Sequence, residues 1–390
     1  MNKIVEFYAP GKIIFGPGGL SQVGVEAKRL GIKILVVLGR SAMRKSGALD
    51  RLIHLLEDNN LEYIIYENIP SDPTAETVDT GANLARKEIC NLVIALGGGS
   101  VLDTGKAISA MATNEGSVAD YQEIEGKSRK LKTKPLPFIA IPTTSGTGSE
   151  ATSNAVITNT KLALKKSIRD FSLIPEVALV DPELTLSLPP LTTAICGGDA
   201  LTQCIESYLG KKSQEITDAL ALHAIELIGK SLVKAVKDGK NLEARKDMAM
   251  AALLSGLCLS NSGLGAAHAL SHPLGVYYKI PHGLSCAVLL PYVMEYNLPV
   301  VTKKLAKIAG CLGENIFSRS ETEAAQRAVE KIKEILTAVG IRENLSEWKI
   351  KKEDFPQLIM GAKGGTLNNN PRDTSDEDLI ELLYKMTGLY

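Results

Sequence analysis

Five short apolar runs recur through the first half of the chain: KILVVL at 33–38, YIIY at 63–66, LVIAL at 92–96, FIAI at 138–141 and VALV at 177–180. Runs of this length with no polar alternate read as strands buried on both faces. Between them, residues 41–59, 75–89 and 101–112 carry helical periodicity over helical lengths. Strand and helix in alternation predict a parallel α/β sheet, with ligands at the carboxyl ends of its strands. The opening MNKIVEFYAPGKIIFG alternates like a further strand and lacks the long apolar run of a signal peptide.

The pattern changes after DPELTLSLPPLTT at 181–193. Thr192 or Thr193 is a candidate helix cap after the Pro189-Pro190 break. From there on the patterns are mainly helical, so the expected organisation is an α/β domain over 1–185 and an all-helical domain over 186–390. The most apolar stretch, MAMAALLSGLCLSNSGLGAA, is broken by Ser, Asn and Gly. A buried core helix followed by a loop explains it better than a membrane span.

Composition narrows the classes. The chain has 390 residues, of which 45% are hydrophobic, which suits about two domains. Lys plus Arg and Asp plus Glu are 44 each, so no net charge steers it toward nucleic acid or an anionic membrane. The six cysteines form no CxxC pair and sit mostly in apolar contexts. They read as small buried side chains in a reducing cytoplasm, and a cysteine-based zinc site is not expected. The basic GKSRKLKTK at 126–134 reads as a solvated loop rather than a phosphate site.

Two glycine-rich loops follow predicted strands. In LVIALGGGSVLDTGKAIS (92–109), the run Gly97-Gly98-Gly99 lets backbone approach a ligand closely. The helix that follows offers free N–H groups and a positive dipole end, which suit a pyrophosphate. Ser100 adds a hydroxyl donor, and Asp103 in the first turn is a candidate partner for a ribose or an amide. This is not the GxGxxG fingerprint. The second loop, IPTTSGTGSE (141–150), carries hydroxyls at Thr143, Thr144, Ser145 and Thr147 that can donate to a ribose, phosphate or carboxamide.

Of five histidines, His54 and His223 read as surface residues. The others cluster: His268 and His272 are four apart on one helical face, and His282 follows Pro281. Neutral imidazoles at this spacing are typical ligands for a divalent transition metal. Asp199 and Gln203 lie one turn apart on another predicted helix.

These motifs together resemble the iron-containing (group III) alcohol dehydrogenases, within the dehydroquinate-synthase-like fold. The resemblance runs nearly end to end through FYAPGKIIFGPGGL, GGGSVLDTGKA, PTTSGTGSE, DPELT, GGDALTQCIESY, HALSHPLG, PHGLSCAVLLPYVMEYN and NNPRD. It implies an N-terminal α/β dinucleotide-binding domain, an all-helical metal and substrate domain, and an active site in a cleft between them. It implies NAD(P)-dependent oxidation of alcohols or reduction of aldehydes with a divalent metal, Fe²⁺ or Zn²⁺. Carried over by motif, the metal positions are Asp199, Gln203, His268 and His282, and His272 falls near the nicotinamide. Gly98, Gly99 and Ser100 fall on the pyrophosphate, and Thr143, Thr144, Thr152, Lys165 and Leu184 on the rest of the cofactor. A small alcohol or aldehyde substrate, a cytoplasmic location and a homodimer or larger homo-oligomer are implied as well.

Two positions depart from the family pattern. Gln203 stands where the family usually has a histidine ligand. Three arrangements fit: a weak Gln203 Oε1 ligand, a metal held by Asp199, His268 and His282 alone, or a site without metal. Cys204 points about 100° away on the helix and is not a replacement. After the first buried strand, Gly39-Arg40 occupies the place where NAD-preferring relatives carry Asp. Arg40 suits a 2′-phosphate, which favours NADP over NAD. The rival functions are a lyase of the dehydroquinate synthase type and a metal-independent or non-catalytic cofactor-binding relative. The first lacks a dense cationic cluster beside the histidines, and the second rests on Gln203 alone.

Overall fold

The computed structural model describes residues 4–124, 128–162 and 164–389. The described residues of the chain form two compact units. One comprises Tyr8–Thr144 and Gly148–Ser187, and the other Leu188–Tyr390 with Ser145–Thr147 and the N-terminal segment to Phe7.

The first unit alternates strand and helix: β1 (Lys12–Phe15), α1 (Val23–Leu30), β2 (Lys33–Gly39), α2 (Ala42–Lys45), α3 (Ala48–Glu57), β3 (Glu62–Ile69), α4 (Ala75–Lys87), β4 (Leu92–Gly97), α5 (Gly99–Met111), β5 (Phe138–Pro142), β6 (Asn154–Asn159), β7 (Leu164–Arg169) and β8 (Val177–Val180). Among the described residues, six strands form a parallel sheet in the order β1-β8-β5-β4-β2-β3. Odd and even positions of the central strands feed two separate cores. Leu35, Val37, Val93 and Ala95 pack under α4 and α5. Ile34, Val36, Ile94 and Leu96 pack under α1 and α3. Burial on both faces is why these strands read as unbroken apolar runs.

Three local expectations change. The helix expected over 41–59 is split into α2 and α3, because Gly47 adopts φ 74° between them. The hairpin β6–β7 went unpredicted. Its buried positions alternate with less buried ones, Asn154, Val156 and Thr158 facing outward more than Ala155, Ile157 and Asn159. Period-two alternation marks a half-buried antiparallel pair rather than a buried run. Thr192 and Thr193 are not caps, since the helix they were to start begins earlier, with Pro190 in its first turn and Pro189 before it. Proline is favoured there because a first-turn N–H has no helical partner to lose. Thr193 Oγ1 instead accepts from buried Arg245 at 2.8 Å.

The second unit is helical: α6 (Pro190–Leu209), α7 (Glu215–Lys237), α8 (Leu242–Ser262), α9 (Ala266–Tyr278), α10 (His282–Cys311), α11 (Glu321–Ala338), α12 (Phe355–Ala362), α13 (Gly365–Asn368) and α14 (Asp376–Thr387). α6 is its centre and packs on α7, α8, α9 and α10. α10 is long and apolar enough to cross a membrane, but 61% of its apolar window is buried inside the protein. It also bends at Val301 (φ −130°) beyond Pro291 and Pro299, as a core helix following its neighbours does. The apolar stretch around 248–267 is α8, a sharp 102° bend and the start of α9. In the basic segment 126–134, Gly126 and Lys127 lie outside the described residues, and Arg129 and Lys134 pair with Asp120 and Glu176.

The crossing of α6 and α10 depends on two glycines. A Cβ on Gly198 would lie 2.7 Å from Ala287 Cβ, and one on Gly283 2.7 Å from the Ile195 carbonyl oxygen and 3.0 Å from Asp199 Cβ. Gly283 thereby lets the first turn of α10, with His282, close on Asp199. Gly283→Ala should force these helices apart and destabilise the protein by about 1–3 kcal/mol, as overpacking does. Urea unfolding monitored by circular dichroism measures it, and an unchanged midpoint would contradict this account of the crossing.

Candidate active site

The strand order reverses between β2 and β4, the first crossing outward to β3 and the second inward to β5. Ligands bind open α/β sheets at such a reversal. Pairing of Leu38 with Leu96 sets the end of β2 beside the turn at Gly97–Gly99, so exposed Arg40 and the glycine turn share one edge. A Cβ on Gly97 would lie 2.7 Å from Val101, and one on Gly98 3.2 Å from Thr144. No side chain caps α5, so its first N–H groups are left for a ligand.

The other predicted cofactor residues divide. Thr143 is buried and its N–H donates to the Gly97 carbonyl at 3.0 Å, locking the two loops together. Ser100 Oγ donates to the Ser71 carbonyl, so the expected hydroxyl donor is already committed and Ser100 offers its backbone N–H. Lys165 Nζ pairs with Asp72 Oδ1 at 2.6 Å, on the same short segment. Leu184 is packed into the core under α1 and α3.

Asp103, expected to face a ribose or amide, and Thr152, expected beside the rest of the cofactor, are both engaged by partners within the protein. Asp103 accepts from Ser149 Oγ (2.5 Å) and from the Val156 N–H (2.9 Å). Thr152 Oγ1 accepts from Lys106 Nζ at 2.7 Å. Lys106 is fully buried and also donates to the carbonyls of Ser149 (2.9 Å) and Asn154 (2.6 Å). Burial lowers its pKa to about 8, opposed by nearby Asp103 and Glu150. Lys106 and Asp103 together pin the loop that follows β5 to α5.

The second cluster lies wholly within the helical unit. α6 supplies Asp199 and Gln203, α9 supplies His268 and His272, and α10 supplies His282. Asp199 Oδ1 lies 3.4 Å from His268 Nε2 and 3.8 Å from His282 Nε2. Asp199 Oδ1 and His268 Nε2 are buried and have no hydrogen-bond partner. Cys286 Sγ, 3.7 Å from His282 Nε2, completes a group whose donor atoms all lie within 4.8 Å of one another.

Both imidazoles are held with Nε2 toward this group. Glu206 Oε2 accepts from His268 Nδ1 at 2.6 Å. Glu206 also accepts the N–H groups of Gly265 (3.0 Å) and Ala267 (2.6 Å), capping α9, whose own N-cap has no side chain. Ser271 Oγ donates to the His268 carbonyl (2.8 Å), so toward His282 Nδ1, 3.2 Å away, it can only accept. Each Nδ1 therefore carries a proton and each Nε2 presents a lone pair.

The electrostatics favour positive charge at this centre, carried either by protons on the rings or by a cation bound to their lone pairs. Burial would depress the His268 imidazole, but Cys286 and Asp199 hold it well above its ordinary value. His282 is raised against the same burial penalty, chiefly by Cys286. Burial would raise Asp199, and the two imidazoles keep it low. The cluster thus favours positive charge at its centre. Orphaned oxygen and nitrogen donors around such a centre fit a divalent cation.

Gln203 does not turn its oxygen to this centre. Its Nε2 donates to Asp199 Oδ2 (3.1 Å) and its Oε1 accepts from Ser255 Oγ (2.8 Å). Gln203 Oε1, expected as a weak ligand, here faces Ser255, because the ionised carboxylate accepts only and draws the amide N–H₂ toward itself. His272 is half-buried one turn beyond His268, its ring stacked on that of His282 at 5.6 Å and 14°.

An iron-containing alcohol dehydrogenase family matches residues 10–182, and the C-terminal part of the same family matches residues 193–387. The chain belongs to the iron-containing alcohol dehydrogenases. It is 38% identical to the 1,3-propanediol dehydrogenase of Klebsiella pneumoniae, over 97% of this chain and 98% of that one. It is 34% identical to the NAD-dependent methanol dehydrogenase of Bacillus methanolicus, over 97% and 99%. A crystal structure of a 1,3-propanediol oxidoreductase superposes with a TM-score of 0.94 at 37% identity, covering 98% of this chain and all of that one. An iron-containing alcohol dehydrogenase is an oxidoreductase that acts on alcohols with NAD(P) and a divalent metal, so the metal-independent, non-catalytic and lyase alternatives are not favoured.

Sequence reasoning missed Glu206, Ser271, Lys106 and Cys286. Glu206 had a signal, lying four and seven residues beyond Thr202 and Asp199 on the face of α6 that carries the cluster. Cys286 had the same signal, four residues after His282. Glu206→Gln should leave backbone N–H groups facing an amide and free the His268 ring. A 10–100-fold loss of zinc affinity is expected, measured by chelator competition; wild-type affinity would mean that Glu206 serves only as a helix cap.

Proposed function

We propose that the chain interconverts a short alcohol or diol and its aldehyde, with Asp199, His268 and His282 as metal ligands and His272 as proton relay. The observation that carries this reading is the orphaned pair Asp199 Oδ1 and His268 Nε2 within a buried ring of donors. A divalent cation held by Asp199, His268 and His282 would supply Lewis acidity, and a dinucleotide held at the glycine turn would supply the hydride chemistry. In the oxidation, the carbinol hydrogen leaves as hydride with the C–H electron pair, and the hydroxyl proton leaves separately. His272, half-buried against His282, takes that proton and exchanges it with solvent. Glu206 and Ser271 keep the ligand imidazoles in one tautomer throughout. The substrates for which these relatives are named, 1,3-propanediol and methanol, support a small hydrophilic alcohol.

In this reading the domain over 1–185 binds the dinucleotide and that over 186–390 the metal and substrate. Gly98, Gly99 and the backbone of Ser100 take the pyrophosphate, with Thr143, Thr144, Lys165 and Leu184 supporting the rest of the cofactor site. The enzyme is further proposed to be cytoplasmic, in keeping with six unpaired cysteines, and to act as a homodimer or larger homo-oligomer on the strength of the family resemblance. No nucleic acid or membrane partner is invoked.

Metal-stripped protein should lack aldehyde reduction with NADPH and regain it when Fe²⁺ or Zn²⁺ is added anaerobically; equal activity without metal would sink the Lewis-acid reading. Arg40, exposed beyond β2, is placed to pair with a 2′-phosphate, so NADP should be preferred. Arg40→Ala should lower kcat/KM for NADPH by roughly 10–100-fold, from the loss of a charge-assisted bond, and leave NADH unchanged. Steady-state kinetics with both cofactors would expose an equal loss, which removes Arg40 from the cofactor site.

A further inference from the structure

Gln203 is committed on both sides, to Asp199 and to Ser255. For its oxygen to ligate a metal, the amide would have to turn over and give up both bonds. The helix α10 meanwhile brings a different donor to the same centre. Cys286 is fully buried, one turn after His282 on the same helix face, and its sulfur lies among the Asp199, His268 and His282 donors. Cys204, adjacent in sequence to Gln203, is buried outside this group.

The spacing suits a tetrahedral ion. Zinc bonds of about 2.0–2.3 Å put neighbouring ligand atoms roughly 3.3–3.6 Å apart. The observed separations are 3.4 Å (His268 to Asp199), 3.8 Å (His282 to Asp199) and 3.7 Å (His282 to Cys286). These three pairs need a few tenths of an ångström of contraction at most, and the remaining pairs lie within 4.8 Å. Two of these atoms, Asp199 Oδ1 and His268 Nε2, are buried without a partner, which a cation would remedy.

We propose that Cys286 is the fourth metal ligand, in the role Gln203 does not fill, and that the resulting site selects zinc over iron. The inference rests on the metal-dependent reading above and adds to it the ligand set and the metal. Binding displaces the thiol proton to solvent and leaves a thiolate on the metal. Thiolate and carboxylate together then balance the charge of a divalent ion. Thiolate is a soft ligand that suits zinc, and zinc already exceeds Fe²⁺ in intrinsic affinity for N, O and S sites.

The test is anaerobic titration of the metal-stripped full chain with Co²⁺, which reports a thiolate ligand as an intense near-ultraviolet charge-transfer band. One equivalent of Co²⁺ should give that band in the wild type and in Cys204→Ala, and not in Cys286→Ala or Cys286→Ser. Zinc affinity of Cys286→Ala should fall by more than about a hundredfold, beyond what loss of an outer-shell partner costs. Loading with equimolar Fe²⁺ and Zn²⁺ should return mostly zinc by elemental analysis. One bound Co²⁺ with no such band in the wild type, or a band that survives both Cys286 variants, overturns the ligand assignment and leaves the metal-dependent reading standing. Recovery of mostly iron overturns the selectivity. Failure of the wild type to bind Co²⁺ at all overturns both. The wild-type spectrum decides the ligand even if neither variant folds.

Discussion

The carboxylate of Asp199 is buried between the imidazoles of His268 and His282, and the helical unit is built around that contact. A buried carboxylate without compensating charge is costly, and removing either neighbour would leave it so. Three helices converge to meet the need. α6 brings the carboxylate and, two turns on, Glu206. α9 begins where Glu206 caps it, which sets the height of His268. α10 begins at His282 and closes on α6 through Gly283. The motifs around GGD, HALSH and PHG are thus parts of one packing solution. Their glycines remove side chains where backbones must touch, and their polar residues face the space that remains.

The α/β unit meets a different constraint. Its glycine turn combines free backbone N–H groups with loops that hold still. Freedom comes from the glycine turn and the uncapped start of α5. Stillness comes from Lys106 and Asp103, whose charges are spent inside the protein on the loop after β5. The sequence motif GGGSVLDTGKA therefore mixes residues that leave backbone N–H groups free with residues that brace the neighbouring loop.

Gln203 and Cys286 are best understood together. The Gln203 amide is a hydrogen-bonding brace between Asp199 and Ser255. One helix away a thiol stands among the donors. The amide oxygen is held away from the donors that surround Asp199, and the thiol lies among them.

The sequence by itself determined the architecture and the kind of chemistry. Buried strands announce themselves as unbroken apolar runs, because both faces of a parallel sheet are covered. Clustered histidines and the glycine turn are local signals, and the family motifs tied them to one reaction. Tertiary structure decided which polar atoms are free. Asp103, Thr152 and Ser100 looked available in the sequence, but their partners come from segments distant along the chain, so no local pattern could show them occupied. Gln203 looked like a ligand by position, and only its contact with Ser255, 52 residues on, shows where its oxygen points. Cys286 looked like core because its neighbours in sequence are apolar. Its chemistry comes from residues on two other helices, and only folding brings those together.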